Sequence, residues 1–245
     1  MQHKQLEQLL VPHIKTAKML EPFTAPTAHK ASIESKFGGI PYAQPQDHWP
    51  RCPTCQNELS FVVQFMDNAS NSLYVFYYCF ECSPWGMADE EMGQWLVQRY
   101  HEPSMQDYQQ IIPLHKNEFT VEPCLVANKH VKVLPDLDSL EYYRLSHIEG
   151  LCHEIDSDDC WDIYTEACTQ LGCIDDYATL IGGYPRWIQG DAFIHHCPQC
   201  GEPLQFLAQI DSEEAANIMW GDVGLVYLFH CPQHPDQYAL ELQCH

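Results

Sequence analysis

The sequence predicts an α+β fold that is internally duplicated. Two β-rich halves are each clipped by a zinc knuckle pair, with helices at the N-terminus and between the halves. Three observations carry that expectation. Cys52-Pro53-Thr54-Cys55 recurs as Cys197-Pro198-Gln199-Cys200. A diglycine stretch stands upstream of each copy, Gly38-Gly39-Ile40-Pro41 and Gly182-Gly183-Tyr184-Pro185. A second knuckle follows each copy behind an aromatic run: residues 74–78 lead into Cys79-Phe80-Glu81-Cys82, and residues 226–230 into Cys231-Pro232-Gln233-His234. Recurrence of three features in one order reads as tandem duplication.

Taken in order, residues 1–34 are expected to form an N-terminal helix and a connector. Leu6, Leu9, Leu10, Ile14 and Ala17 fall at helical spacing, and Pro12 within them implies a break or kink. Pro22, Pro26 and Thr27 mark the extended connector. The first repeat spans 35–101. Pro41, Pro45 and Pro50 punctuate a loop ahead of its first knuckle, and residues 61–65 and 73–78 read as a hairpin whose ends carry the knuckles. Residues 95–100 make a third strand, with a counterpart at 238–243. Between the repeats, 102–176 is an acidic segment with a short helix at 105–110, a strand at 119–126, and helical stretches at 139–143 and 158–171. The second repeat spans 177–245.

The knuckles carry the clearest chemistry. Two cysteines separated by two residues form a tight turn that aims both sulfurs at one point. A second such turn completes a tetrahedron, which zinc accepts without electronic preference. Cys52, Cys55, Cys79 and Cys82 therefore form site one, and Cys197, Cys200, Cys231 and His234 form site two, for two zinc ions in all. His195, His196 and His230 are rival fourth ligands at site two. Four protein ligands leave no position for water, so both sites read as structural. The alternative use of the cysteines, as disulfides, fits worse with the knuckle spacing.

Composition bounds the partner. Acidic side chains number 34 against 12 basic ones, a formal net charge of −22. Nucleic-acid phosphate requires basic patches, so direct nucleic-acid binding is not expected. A basic protein partner is, because long-range attraction speeds encounter. Residues 136–176 hold twelve carboxylates and one basic residue, Arg144. The N-terminal stretch bears Lys4, Glu7, Lys15 and Lys18 without a long apolar run, so neither an export signal nor a membrane anchor is expected. Thirteen cysteines without such a signal point to a reducing cytoplasm.

Three further stretches resemble the bacterial YwqG-like family: Ser35-Lys36-Phe37-Gly38-Gly39-Ile40-Pro41-Tyr42, Leu180-Ile181-Gly182-Gly183-Tyr184-Pro185-Arg186-Trp187-Ile188-Gln189, and Met219-Trp220-Gly221-Asp222-Val223-Gly224. The resemblance implies an α+β fold and no reaction. The paired knuckles and duplicated layout are also similar to the C-terminal domain of the programmed cell death 2 family. That similarity implies a chaperone of a basic client, and small acidic toxin-immunity proteins use the same electrostatics.

No catalytic residue is expected. The chain has no phosphate-cradling glycine loop, no His-Glu-x-x-His and no nucleophile elbow. Asp222 reads as a turn residue, Gln189 and Asp191 are ambiguous, and Trp95, Trp187 and Trp220 are expected to fill the core between the repeats. The function expected is non-enzymatic binding of a basic protein. The competing reading is a metallohydrolase using an open zinc position at site two.

Overall fold

The computed structural model describes residues 2–82, 94–115, 119–190 and 194–245. Helix α1 (Gln2–Leu10) opens the chain and is followed by strand β1 (Lys15–Thr24). The first repeat contributes β2 (Lys36–Phe37), β3 (Ser60–Asp67), β4 (Ser72–Tyr78) and β5 (Trp95–His101). Then come β6 (Cys124–Val133), α2 (Ser146–Ile155) and α3 (Cys160–Gln170). The second repeat supplies β7 (Leu180–Ile181), β8 (Gln205–Asp211), β9 (Leu225–His230) and β10 (Tyr238–Gln243).

All ten strands join one sheet in the order β10-β9-β8-β7-β1-β6-β2-β3-β4-β5. That order is a palindrome about the β1–β6 pair: β2 answers to β7, β3 to β8, β4 to β9 and β5 to β10. The two central strands change sides. β1 precedes the first repeat in sequence but pairs with β7 of the second, while β6 precedes the second and pairs with β2 of the first. The halves are thus joined by exchanged strands as well as by side-chain packing.

The matching reaches individual bonds. β3 bulges between Phe61 and Val63, and β8 bulges between Phe206 and Ala208. The bulged Val62 carbonyl accepts from Gly38 N at 3.0 Å, and the bulged Leu207 carbonyl from Gly182 N at 2.9 Å. The buried Gln64 and Gln209 each turn a side-chain oxygen to a backbone N–H of the facing loop, that of Tyr42 at 2.9 Å and of Arg186 at 2.8 Å. Their amide groups donate back to the carbonyls of Ser32 and Glu34 and of Ala178. Polar side chains at 0 % exposure are tolerated because both ends of each amide are satisfied.

One core lies between the halves. It includes Phe65, Tyr74, Phe76 and Tyr78 of the first repeat and Leu207, Ile210, Trp220, Val226 and Leu228 of the second. A second core builds a helical pole: Leu6 and Leu10 of α1 pack with Ile148 and Leu151 of α2 and with Ile163, Tyr164 and Ala167 of α3. Smaller clusters sit under each knuckle pair.

Several local expectations change. The helical spacing at the N-terminus holds only to Leu10. Beyond Pro12 the chain becomes β1, in register with β6 from Lys15↔Val133 to Thr24↔Cys124. Pairing with β6 overrides a weak local pattern, and Pro22 is accommodated because β7 pairs only with Lys18 and Met19 of β1. The strand expected at 119–126 lies later, at Cys124–Val133, and residues 105–110 form turns rather than a helix. In the stretch 139–143 only a 3₁₀ turn at Leu137–Ser139 and further turns form, whereas α2 was not foreseen. Trp220 belongs to the shared core and Trp95 packs against it. Trp187 does not; it sits in the second repeat's own cluster, 4.6 Å from Tyr227.

Candidate metal centres

Each site is assembled from two knuckles at the two ends of a β-hairpin, β3–β4 in the first half and β8–β9 in the second. The first knuckle of each is closed by the same backbone bonds. Cys52 N donates to Asn57 O and Cys197 N to Glu202 O, both at 2.8 Å, and the turn is completed by Gln56 N to Cys52 O and Gly201 N to Cys197 O. This turn ends in left-handed backbone, φ 64° at Gln56 and 73° at Gly201. The second copy places glycine there, which adopts the conformation without a Cβ penalty. Cys79 N is held by Gln94 O, and Cys231 N by Gln237 O.

The ligand atoms converge. In site one, Cys52 Sγ lies 3.7 Å from Cys82 Sγ and Cys55 Sγ 3.7 Å from Cys79 Sγ. In site two, Cys200 and Cys231 Sγ are 3.8 Å apart, and His234 Nδ1 lies 3.4 Å from Cys197 Sγ and 3.5 Å from Cys231 Sγ. Within each foursome every donor atom lies within 4.8 Å of the others. A tetrahedral zinc with sulfur at about 2.3 Å and nitrogen at about 2.0 Å requires S···S edges of about 3.8 Å and S···N edges of about 3.5 Å. A disulfide requires about 2.05 Å, and all of these cysteines are free thiols. Both groups could hold a metal ion.

The backbone also prepares the sulfurs. Desolvation works against the Cys52 thiolate, but N–H groups of Cys55 and Thr54 outweigh it and hold the thiol below its ordinary value. At Cys197 desolvation is likewise outweighed, by N–H groups of Cys200 and Gln199, and the thiol falls to about 6. Burial, with neighbouring sulfurs, pushes Cys82 up to about 11. Each group thus holds one thiol below its ordinary value and, at Cys82 and Cys200, a neighbour above it, as expected of anionic donors crowded together until a cation balances them.

Of the histidines considered for site two, His234 brings its ring nitrogen among the sulfurs. His195 lies 3.8 Å from Glu241 and packs on Phe229, and His230 turns to a groove beside β1. Asp222 lies in a turn, where its carbonyl accepts from His245 N. Gln189 donates to Cys244 O. Asp191 falls outside the described residues.

The residues that sequence reasoning missed are Asp136 and Arg186. Asp136 is buried, pairs with Arg186 at 2.5 Å and accepts from Trp187 N at 2.7 Å. Burial lifts its carboxyl to about 6 against the pull of Arg186. Arg186 also holds Asp175 at 2.7 Å, so the pair ties the acidic segment to the loop behind the second diglycine. Arg186 lies inside a stretch that resembles the YwqG-like family, but nothing in the sequence names its partner.

A family model described as Domain of unknown function (DUF1963) matches residues 35–234, from just before the first diglycine stretch to His234, the last candidate ligand of site two. This is the family that the YwqG-like stretches pointed to. No curated protein matches the chain.

Proposed function

We propose that this chain, which belongs to the DUF1963 family, is a non-enzymatic cytoplasmic binding protein, held together by two structural zinc ions, that receives a basic protein partner. Residues 35–101 and 177–245 serve as the clipped repeats, and residues 102–176 carry the recognition surface. Zinc is the cation that best suits thiolate and imidazole donors at these edge lengths. Four converging donors at site two favour a closed centre over one with a bound water, and so weigh against the metallohydrolase reading.

The observation that carries the partner reading is the distribution of charge on the helical pole. On and around α2 and α3, Glu154, Asp156, Asp158, Asp159, Asp162 and Glu166 are all exposed. Trp161 stands among them with 51 % of its surface open. An exposed indole flanked along the chain by exposed carboxylates suits a lysine- or arginine-rich surface, since it offers a cation–π face beside the ion pairs. Solvation alone accounts for the carboxylates but not for the open tryptophan. Chaperoning a basic client and neutralising a basic toxin are both served by this chemistry. Among the described residues no helix is long and apolar enough to cross a membrane.

The test starts from a partner captured in the native host and identified by mass spectrometry. Its association rate should fall with added salt, and fall about tenfold or more when Asp156, Asp158 and Asp159 are changed to Lys, with folding intact. Trp161→Ala should raise the dissociation rate instead. A partner whose binding ignores salt, charge reversal and Trp161→Ala would overturn the assignment of this face.

A further inference from the structure

The pseudo-twofold arrangement builds the same mouth twice, where the rim of the shared core meets the β1–β6 ribbon. Lys18 of β1 pairs with Ile181 as Cys124 of β6 pairs with Phe37. His130 lies opposite Lys18 as Thr24 lies opposite Cys124. His230 lies opposite Gln205 as Tyr78 lies opposite Ser60. Around the Cys124 mouth these three positions are neutral, Glu122 and Glu213 supply the nearby charge, and the space at Cys124 itself is filled. The connection 212–224 folds over it, so that Cys124 Sγ donates to Ala215 O and Glu122 N to Ala216 O, and Trp220 packs edge-on to Tyr78 at 5.1 Å and stacks on Phe80 at 5.3 Å.

At the Lys18 mouth the corresponding connection is only residues 68–71, which cannot reach across. A cavity of about 380 Å³ remains, bordered by Lys18, His130, His230 and Thr16 on its polar side and by Phe206 and Leu207 on its apolar side. All three positions that are neutral at the filled mouth carry a basic residue here. Lys18 donates to Met66 O, which leaves two of its three N–H groups unassigned. The one carboxylate on the border, Asp67, accepts from Ala69 N, Ser70 N and Ser70 Oγ of its own turn, and it also acts at a distance on Lys18, as Glu34 does, and on His230. Arg99, which packs over Tyr74, adds positive potential at His230.

We propose that this open mouth binds a small organic acid, whose carboxylate is held by Lys18 and His130 and whose apolar body lies against Phe206 and Leu207. In a chain of net charge −22, three basic residues border this cavity, and Asp67 and Glu34 are the carboxylates that act on Lys18. Desolvation of the half-buried ammonium strengthens its attraction for an anion relative to water. An apolar wall with a few convergent polar groups is the usual form of a small-molecule site. The proposal is independent of the partner reading, since the mouth is built by β1, β6, β7, β8, β9 and the β3–β4 turn and not by the helical pole.

Titration of the zinc-loaded full chain with phenylacetate, benzyl alcohol and inorganic phosphate, followed by calorimetry and by histidine ring NMR signals, tests it. Phenylacetate should bind saturably and move the His130 resonance. Benzyl alcohol and phosphate should each bind at least tenfold more weakly, because each lacks one half of the recognised chemistry. Lys18→Met and His130→Thr should each weaken phenylacetate at least fivefold; His130 is exposed, so its variant retains the fold if Lys18→Met does not. Absence of saturable phenylacetate binding, phosphate binding as tightly as phenylacetate, or unchanged affinity in His130→Thr would each overturn the proposal.

Discussion

Single side chains carry the two local effects expected to be strongest, metal ligation and the acidity of carboxyls drawn partly out of water. Protein purified without added metal should contain close to two equivalents of zinc. Cys52→Ser should reduce this to about one and lower the melting temperature by well over 10 °C, because a structural zinc contributes folding free energy directly. Reduced protein with no bound metal would sink the site assignment. The half-buried carboxyls of Asp211 and Glu213 give a pH signature of fixed sign. Burial raises Glu213 to about 7, with Asp211 and Glu21 adding to it against the hydroxyl of Thr179, and burial raises Asp211 to about 6. A carboxyl whose folded value lies above its unfolded one binds more protons in the native state. Its contribution is therefore most favourable below the unfolded value near 4.5 and is lost as pH rises through about 7. Glu213→Gln should remove this dependence and gain roughly 1–3 kcal/mol on wild type between pH 5 and 8. Urea melts at both pH values measure the difference, and parallel pH profiles for the two proteins would contradict it. The converging cysteines and His234 were legible from the sequence because knuckle geometry is local. Asp136 and Glu213 were not, because an acid's burial depends on segments far away in the chain.

At the level of elements, the short strands β2 and β7 show how a local motif acts at long range. Each ends in diglycine, where the chain leaves the sheet with positive φ. At Gly183, φ is 83° and an added Cβ would meet Val133 Cγ2 at 2.6 Å and Ala17 Cβ at 3.0 Å, across the exchanged central strands. Gly172, with φ 73°, has nothing within 4 Å. Gly183→Ala should therefore cost roughly 2–4 kcal/mol, backbone strain plus overpacking, against about 1 kcal/mol for Gly172→Ala. Chemical denaturation of both variants checks the contrast, and equal losses would show that packing against β1 and β6 contributes nothing. The hairpins and β10 were readable from alternation and aromatic runs. β1 was not: its apolar spacing fits a helix as far as Ala17, and only its long register with β6 makes it a strand.

For the molecule as a whole, Trp220 is the side chain that joins the halves. It is 2 % exposed, lies in the second repeat and packs on Phe76, Tyr78 and Phe80 of the first. Trp220→Ala should cost about 3–5 kcal/mol, and hydrogen exchange should accelerate in β4 and β9 together rather than in one half. Faster exchange confined to β9 would mean the halves are stabilised separately.

The sequence by itself determined the duplication, the two groups of four residues that could hold a metal, the acidic segment and the α+β class. Each of these is written in spacing, composition or repetition, which survive without knowledge of neighbours. Tertiary structure alone decided the exchange of β1 and β6 between the halves, the filling of one mouth by Trp220 and the opening of the other, and the pairing of Asp136 with Arg186. The physical reason is that strand pairing and burial are satisfied by whichever distant segment covers an unpaired edge or a buried charge. Local propensity does not specify that segment.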